Sequence, residues 1–134
     1  MNCETTESIE SGSLRIAPTD TITANNIARL YEIAADSVRK SNVNKVIFDY
    51  TASRIDLPVS RYIDSHRDLG GLARQGVLFI ALIRSDNGII RRHVRLQKTL
   101  HDIAYINDRI PVVCSVFDRL DDAEEWIKDP VVTI

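Results

Sequence analysis

The sequence predicts an α/β fold: an N-terminal strand or hairpin, then αβαβαβα, with a largely parallel sheet flanked by helices. Three stretches carry that expectation. Val77 to Ile83 (VLFIALI) is the most apolar run in the chain, long enough for a central strand and too short for an independent helix. Pro111 to Asp129 reads as a buried-type strand, a two-residue corner and a short acidic helix holding the only tryptophan, Trp126. Its run of Val112, Val113, Cys114, Val116 and Phe117 is how a strand covered on both faces reads. Finally, Ile27, Leu30, Tyr31, Ala34 and Val38 share a helical face, with Arg29, Glu32, Asp36, Arg39 and Lys40 outward.

Taken in order, Leu14 and Ile16 alternate as a half-buried strand. Ser11-Gly12-Ser13 before it reads as a turn that folds the residues near Thr5 to Ile9 back as an antiparallel edge. Thr23 precedes the first helix, which ends near Ser41-Asn42. Val46-Ile47-Phe48 is a short strand and TASRIDLP a polar loop; Pro58 then starts a second helix with Val59, Tyr62, Ile63, His66, Leu69 and Ala73 as its core face. Gly70-Gly71 lies near that helix's end and Gly76 opens the next connection. VLFIALI should form the middle of the sheet. Asp86-Asn87-Gly88 is a turn and cap signal for a third helix, roughly residues 89 to 107, with Ile89, Leu96, Leu100, Ile103 and Ala104 on one stripe. For the closing helix, either Asp118 or Asp121 can accept from the free amides of the first turn, and Ala123, Trp126 and Ile127 fall on one side. Short connections and right-handed crossovers make the last three strands parallel.

At 134 residues the chain reads as a single domain, 1–134, with residues 1–12 a flexible tail or edge strand. A net charge of −2 with 27% charged residues lacks the basic excess of a nucleic-acid binder. Cys3 and Cys114 show no metal-ligand spacing and are poorly placed to pair, so reduced thiols are expected. The first 23 residues have no signal-type apolar core, and no later stretch approaches a membrane span. The expected location is the cytoplasm, without membrane insertion.

Three segments support a resemblance: TITANNIARLYEIA at a strand-to-helix passage, KVIFDYTAS where a strand ends in Asp49 and a polar loop, and VFDRLDDAEEWI at the close. With the element order, they make the chain from about Leu14 to Lys128 resemble the SpoIIAA-like proteins, relatives of the STAS domains that include anti-sigma factor antagonists. The resemblance implies a non-enzymatic regulatory or protein-interaction module. In anti-sigma antagonists a serine after the corresponding strand is phosphorylated by a partner kinase, in a pattern like Asp-Ser-Ser/Thr-Gly. This chain departs from that pattern: Asp49 is followed by Tyr50-Thr51-Ala52-Ser53-Arg54-Ile55-Asp56, with no glycine, and Ser53 and Ser60 match by neighbourhood only.

In an open parallel sheet, ligands bind beyond the carboxyl ends of the strands, which directs attention to residues 49–58, 84–88 and 117–121. Arg54 and Arg84, with the hydroxyls of Thr51, Ser53 and Ser85, could hold a carboxylate or phosphate. The competing reading makes Asp49, Asp56, Asp86 and Asp118 helix caps and leaves the arginines solvated or paired with them. Asp49 after VIF also matches a receiver phosphoacceptor. That chemistry needs an acidic pair after the first strand and a late lysine, and the sequence supplies neither. His66 reads as a core-edge residue, and His93 and His101 lack metal-ligand mates; no metal or cofactor is expected. No nucleophile motif or glycine-rich phosphate loop is present, so no catalytic residue is assigned.

The helix expected over 89–107 carries a second stripe, Ile90, Val94, His101 and Tyr105, interleaved with Arg91, Arg95 and Lys98. It packs against a neighbouring helix or forms an interface through Ile90, Val94 and Tyr105. The sequence therefore predicts a regulatory module with a protein partner or a homodimer and no nucleic acid. The alternative is a carrier or sensor of a small apolar or anionic ligand at the strand-end loops.

Overall fold

The computed structural model of the chain describes residues 5–10, 12–56, 65–83, 98–99, 102 and 112–130. β1 (Thr5–Glu10) and β2 (Ser13–Pro18) form an antiparallel hairpin, with Glu10 opposite Ser13 and Thr5 opposite Pro18. Gly12, at φ +80°, takes the left-handed conformation that so short a connection demands and that a side chain would strain. β3 (Ile22–Thr23) leads into α1 (Ile27–Ser41), whose buried residues are Ile27, Leu30, Tyr31, Ala34 and Val38, the face that the 3.6-residue period selects. Asn42 ends α1 in the left-handed conformation, its amide donating to the Val38 carbonyl.

β4 (Lys45–Asp49), β5 (Ile55–Asp56), α2 (Ser65–Arg74), β6 (Phe79–Ile83), β7 (Val113–Phe117) and α3 (Leu120–Lys128) follow. The main sheet has the order β1-β2-β4-β6-β7, antiparallel at the hairpin and parallel elsewhere. Its parallel strands advance in one direction, so right-handed crossovers send α1 and α2, the described connecting helices, to the same face. α1 and α2 pack on each other there. α3 follows the last strand, crosses to the opposite face and lies over β4, β6 and β7.

Alternate residues sort onto the two faces. Leu14, Ile16, Val46, Phe48, Ile80, Leu82 and Cys114 join α1 in the larger core. Ile47, Ala81 and Ile83 meet Ala123 and Ile127 of α3 in a smaller one. Tyr31, Phe48 and Tyr50 form an aromatic row in the larger core, with ring centroids 5.2 Å and 6.1 Å apart. Burial pushes the Cys114 thiol far up, so it stays protonated.

Several details differ from the sequence expectation. The segment read as a polar loop contains β5, which pairs with β3 in parallel as a second, two-stranded sheet. Two residues are too few to show periodicity. β4, rather than VLFIALI, is the middle strand, because the hairpin adds two strands on its side. Leu72, absent from the expected core face, is fully buried, with Ala73 partly buried beside it. Val59, Tyr62 and Ile63 lie outside the described residues. Among the described strands β7 lies at the edge, and its Ser115, Val116 and Phe117 are only half-buried. Arg119 occupies the N-cap of α3 with no side-chain cap bond; Asp121 and Asp122 in the first turn supply the favourable charge instead. Of the helix expected over 89–107, only Lys98, Thr99 and Asp102 are described; they are helical, and Lys98 pairs with Asp102.

Candidate functional site

The carboxyl end of β4 carries a cluster of linked polar side chains. Its last residue, Asp49, points to the α3 face beside Arg15 of β2, because Arg15 lies opposite Ile47 and the two side chains meet diagonally across neighbouring strands. Arg15 donates from Nε (3.1 Å) and Nη2 (2.6 Å) to Asp49 Oδ2. Oδ1 accepts from the Thr51 amide (3.1 Å) and the Thr51 hydroxyl (2.7 Å). The Asp49 side chain is 3% exposed and that of Arg15 39%. Burial by itself would raise the Asp49 carboxyl, but the hydrogen bonds from Thr51 and Arg15 outweigh it and hold the group below its ordinary value. Both oxygens are engaged, so Asp49 is an ionised clasp at neutral pH that ties β4 to Arg15 and to the turn.

The loop that follows is tied to its surroundings residue by residue. Tyr50 is buried and its amide donates to the Ile83 carbonyl (3.0 Å), extending the β4–β6 ladder by one bond. Ser53, 5% exposed, donates from its amide (3.1 Å) and its hydroxyl (3.4 Å) to the Tyr50 carbonyl. The Arg54 carbonyl accepts from the Ile22 amide (2.7 Å), fastening the loop to β3. On the β3 side, Asn26 Oδ1 accepts from the Thr23 amide and Asn26 Nδ2 donates to the Thr21 carbonyl.

These facts locate the predicted site residues. Thr51 and Ser53 lie in the loop, their hydroxyls taken up by Asp49 and Tyr50. Arg54 is exposed there. Arg84 and Ser85 lie outside the described residues, as do Ser60 and the interface residues Ile90, Val94 and Tyr105. Asp49 binds a turn residue two positions on, and its partner arginine is Arg15, in the middle of the first core-facing strand. A single arginine between Leu14 and Ile16 was the available signal, but a half-exposed strand places a polar residue there in any case.

Chain order adds a constraint. Ligand crevices in open α/β sheets form where the strand order reverses, and the described parallel strands advance one way throughout. The described concavities lie at the other wing, beside the hairpin. One of about 190 Å³ is lined by Ser8, Glu10, Ser13, Arg15, Ile47, Glu124, Ile127 and Lys128. It exists because α3 covers β4, β6 and β7 and stops short of β1 and β2. Among the described residues, no group of three or more His, Cys, Asp or Glu side chains is arranged to hold a metal ion, and no helix is long and apolar enough to cross a membrane.

The architecture is the SpoIIAA-like fold. An anti-sigma factor antagonist from Mycobacterium paratuberculosis superposes with a TM-score of 0.61 at 14% identity, covering 96% of each chain. A proposed anti-sigma factor antagonist from Thermotoga maritima gives 0.63 at 15% identity, over 92% of this chain and 94% of its own. A protein of SpoIIAA-like fold from Shewanella loihica gives 0.54 at 14% identity, over 93% of each. No protein-family model and no curated protein sequence matches the chain. At such identities the likeness establishes the fold, and a fold hosts many roles.

Proposed function

We propose that this chain is a non-enzymatic regulatory module that acts in the cytoplasm by binding another protein. The observation that carries the reading is the end-to-end likeness to two anti-sigma antagonist structures, each matched over more than 90% of both chains. The strand-end loop supports it. The Asp49 carboxylate and the Thr51 and Ser53 hydroxyls bond within the loop and to Arg15, which suits a rigid surface for contact better than a reaction centre or an anion pocket. Ser53, with its hydroxyl turned inward, is unsuited to receive a phosphoryl group from a kinase, which needs its acceptor exposed.

The test is isolation of the tagged chain from the cells that make it, with gentle cross-linking, followed by native mass spectrometry. A stoichiometric complex with a second protein is expected, and its mass should contain no phosphoryl group on Ser53. Recovery of the chain only with a tightly held small molecule would replace this reading with the carrier one.

A further inference from the structure

We infer that the outer edge of β1 is a docking site for an extended segment of the partner protein, added to the sheet as a sixth strand, with basic residues on one side and apolar residues on the other. The inference rests on the protein-binding reading and names the surface and the chemistry of the segment it takes. β1 ends the sheet, and no described strand pairs with its outer side. From Thr6 to Glu10 its side chains are exposed. A hairpin joined by two residues closes on a hydrogen-bonded pair, here Glu10 with Ser13, and such pairs alternate along the ladder. Ser8 and Thr6 therefore bond inward to β2, which leaves the backbone groups of Glu7 and Ile9 facing outward for an incoming strand.

Each face of this edge has its own concavity, and the two differ in character. On the α1 side, a shallow hollow of about 300 Å³ is floored by Ile9, 47% exposed, and Leu14, and rimmed by Glu7 and Lys40, one charge of each sign, with Ser37 and Ser41. On the α3 side lies the 190 Å³ groove. Arg15 in that groove is neutralised by Asp49, so among its described residues Glu10 and Glu124 face a single further cation, Lys128. A strand whose alternate side chains are apolar and basic would place the first kind over Ile9 and the second between Glu10 and Glu124. A second copy of this chain fits poorly: the sequence of β1, TTESIE, has two glutamates and no basic residue, so pairing β1 with itself adds acid to an acidic groove.

The experiment uses the whole chain and two fluorescent decapeptides, one alternating valine with arginine and one alternating valine with glutamate. Anisotropy at low salt should show the arginine peptide binding and the glutamate peptide binding at least about tenfold more weakly. The Glu10→Lys/Glu124→Lys double variant should reverse that preference. Ile9→Pro, which removes an outward amide and leaves the β1–β2 ladder whole, should weaken both peptides. Circular dichroism shows whether each variant is folded, and amide exchange at Glu7 and Ile9 on adding peptide gives a readout on the parent alone, where slowing is expected. Unchanged exchange, an arginine peptide that ignores the charge reversal, or dimerisation of the free chain that Ile9→Pro abolishes would each overturn the inference. A cellular partner kept by both variants would overturn this site and leave the protein-binding reading intact. Peptide binding with no cellular partner would do the reverse.

Discussion

The two faces of the sheet are built from the same alternating strands yet differ in what covers them. On the α1 face, the two described helices bury a continuous layer in which Phe48 lies between Tyr31 and Tyr50. On the opposite face, one described nine-residue helix covers three strands, and the remaining wing carries Ser13 and Arg15, which reaches across to Asp49 at the end of β4. The contrast follows from topology: crossovers of one hand load one face, and only the helix after the last strand is free to reach the other. The loaded face holds most of the buried apolar core, while the open wing leaves Arg15 partly exposed beside a groove.

If that division is right, the largest loss comes from the loaded face. Phe48→Ala should cost about 3–5 kcal/mol in urea unfolding, since a fully buried ring with two aromatic neighbours leaves a cavity that its packed surroundings cannot close. On the other face, Trp126 is only half-buried, with ring centroids 5.6 Å from Phe117 and 6.2 Å from Phe79. Trp126→Ala should cost less, about 2–3 kcal/mol. Equal losses at the two positions would erase the distinction between the faces.

Asp49→Asn tests the clasp on the open wing and should cost about 1–2 kcal/mol at neutral pH, discounted for the partly exposed Arg15 partner. Its pH dependence has a definite sign. The Asp49 carboxyl sits below its unfolded value, so its contribution is fully present above about pH 4 and disappears as pH falls through the lower folded value. Unfolding curves of parent and variant should therefore converge in acid. A gap that persists well below about pH 3 would mean that the substitution perturbs packing and not charge. The smallest effects belong to the outward face of α1, where the Arg29–Glu32 and Arg39–Asp36 pairs are exposed. Arg29→Ala and Arg39→Ala should each stay within about 0.5 kcal/mol of the parent.

Legibility varied with the range of the interactions. The five buried residues of α1 follow from helical period alone, and the hairpin follows from a glycine between two alternating runs. Leu72 escaped because a helix that turns its apolar arc by one residue keeps nearly the same pattern. The cap of α3 escaped because Asp118 and Asp121 were equally eligible by sequence, and the backbone put Arg119 between them at the N-cap position. At the candidate site, Asp49, Thr51 and Ser53 were legible as polar residues at a strand end. That Asp49 would close on Thr51 and Arg15, and Ser53 on the Tyr50 carbonyl, was not, since the strand register that sets Arg15 opposite Ile47 is made by residues more than thirty positions apart.

The sequence by itself determined the α/β class, the order of the main-sheet strands and of the described helices, and most of the larger core, because periodicity and turn chemistry act over a few residues. Tertiary structure alone decided that β4 is the central strand, that β3 and β5 pair, and that α3 leaves the hairpin wing open with Arg15 clasped to Asp49. Each of these depends on which distant segments lie side by side, and that is settled by burying both faces of the whole sheet at once, a condition no local window contains.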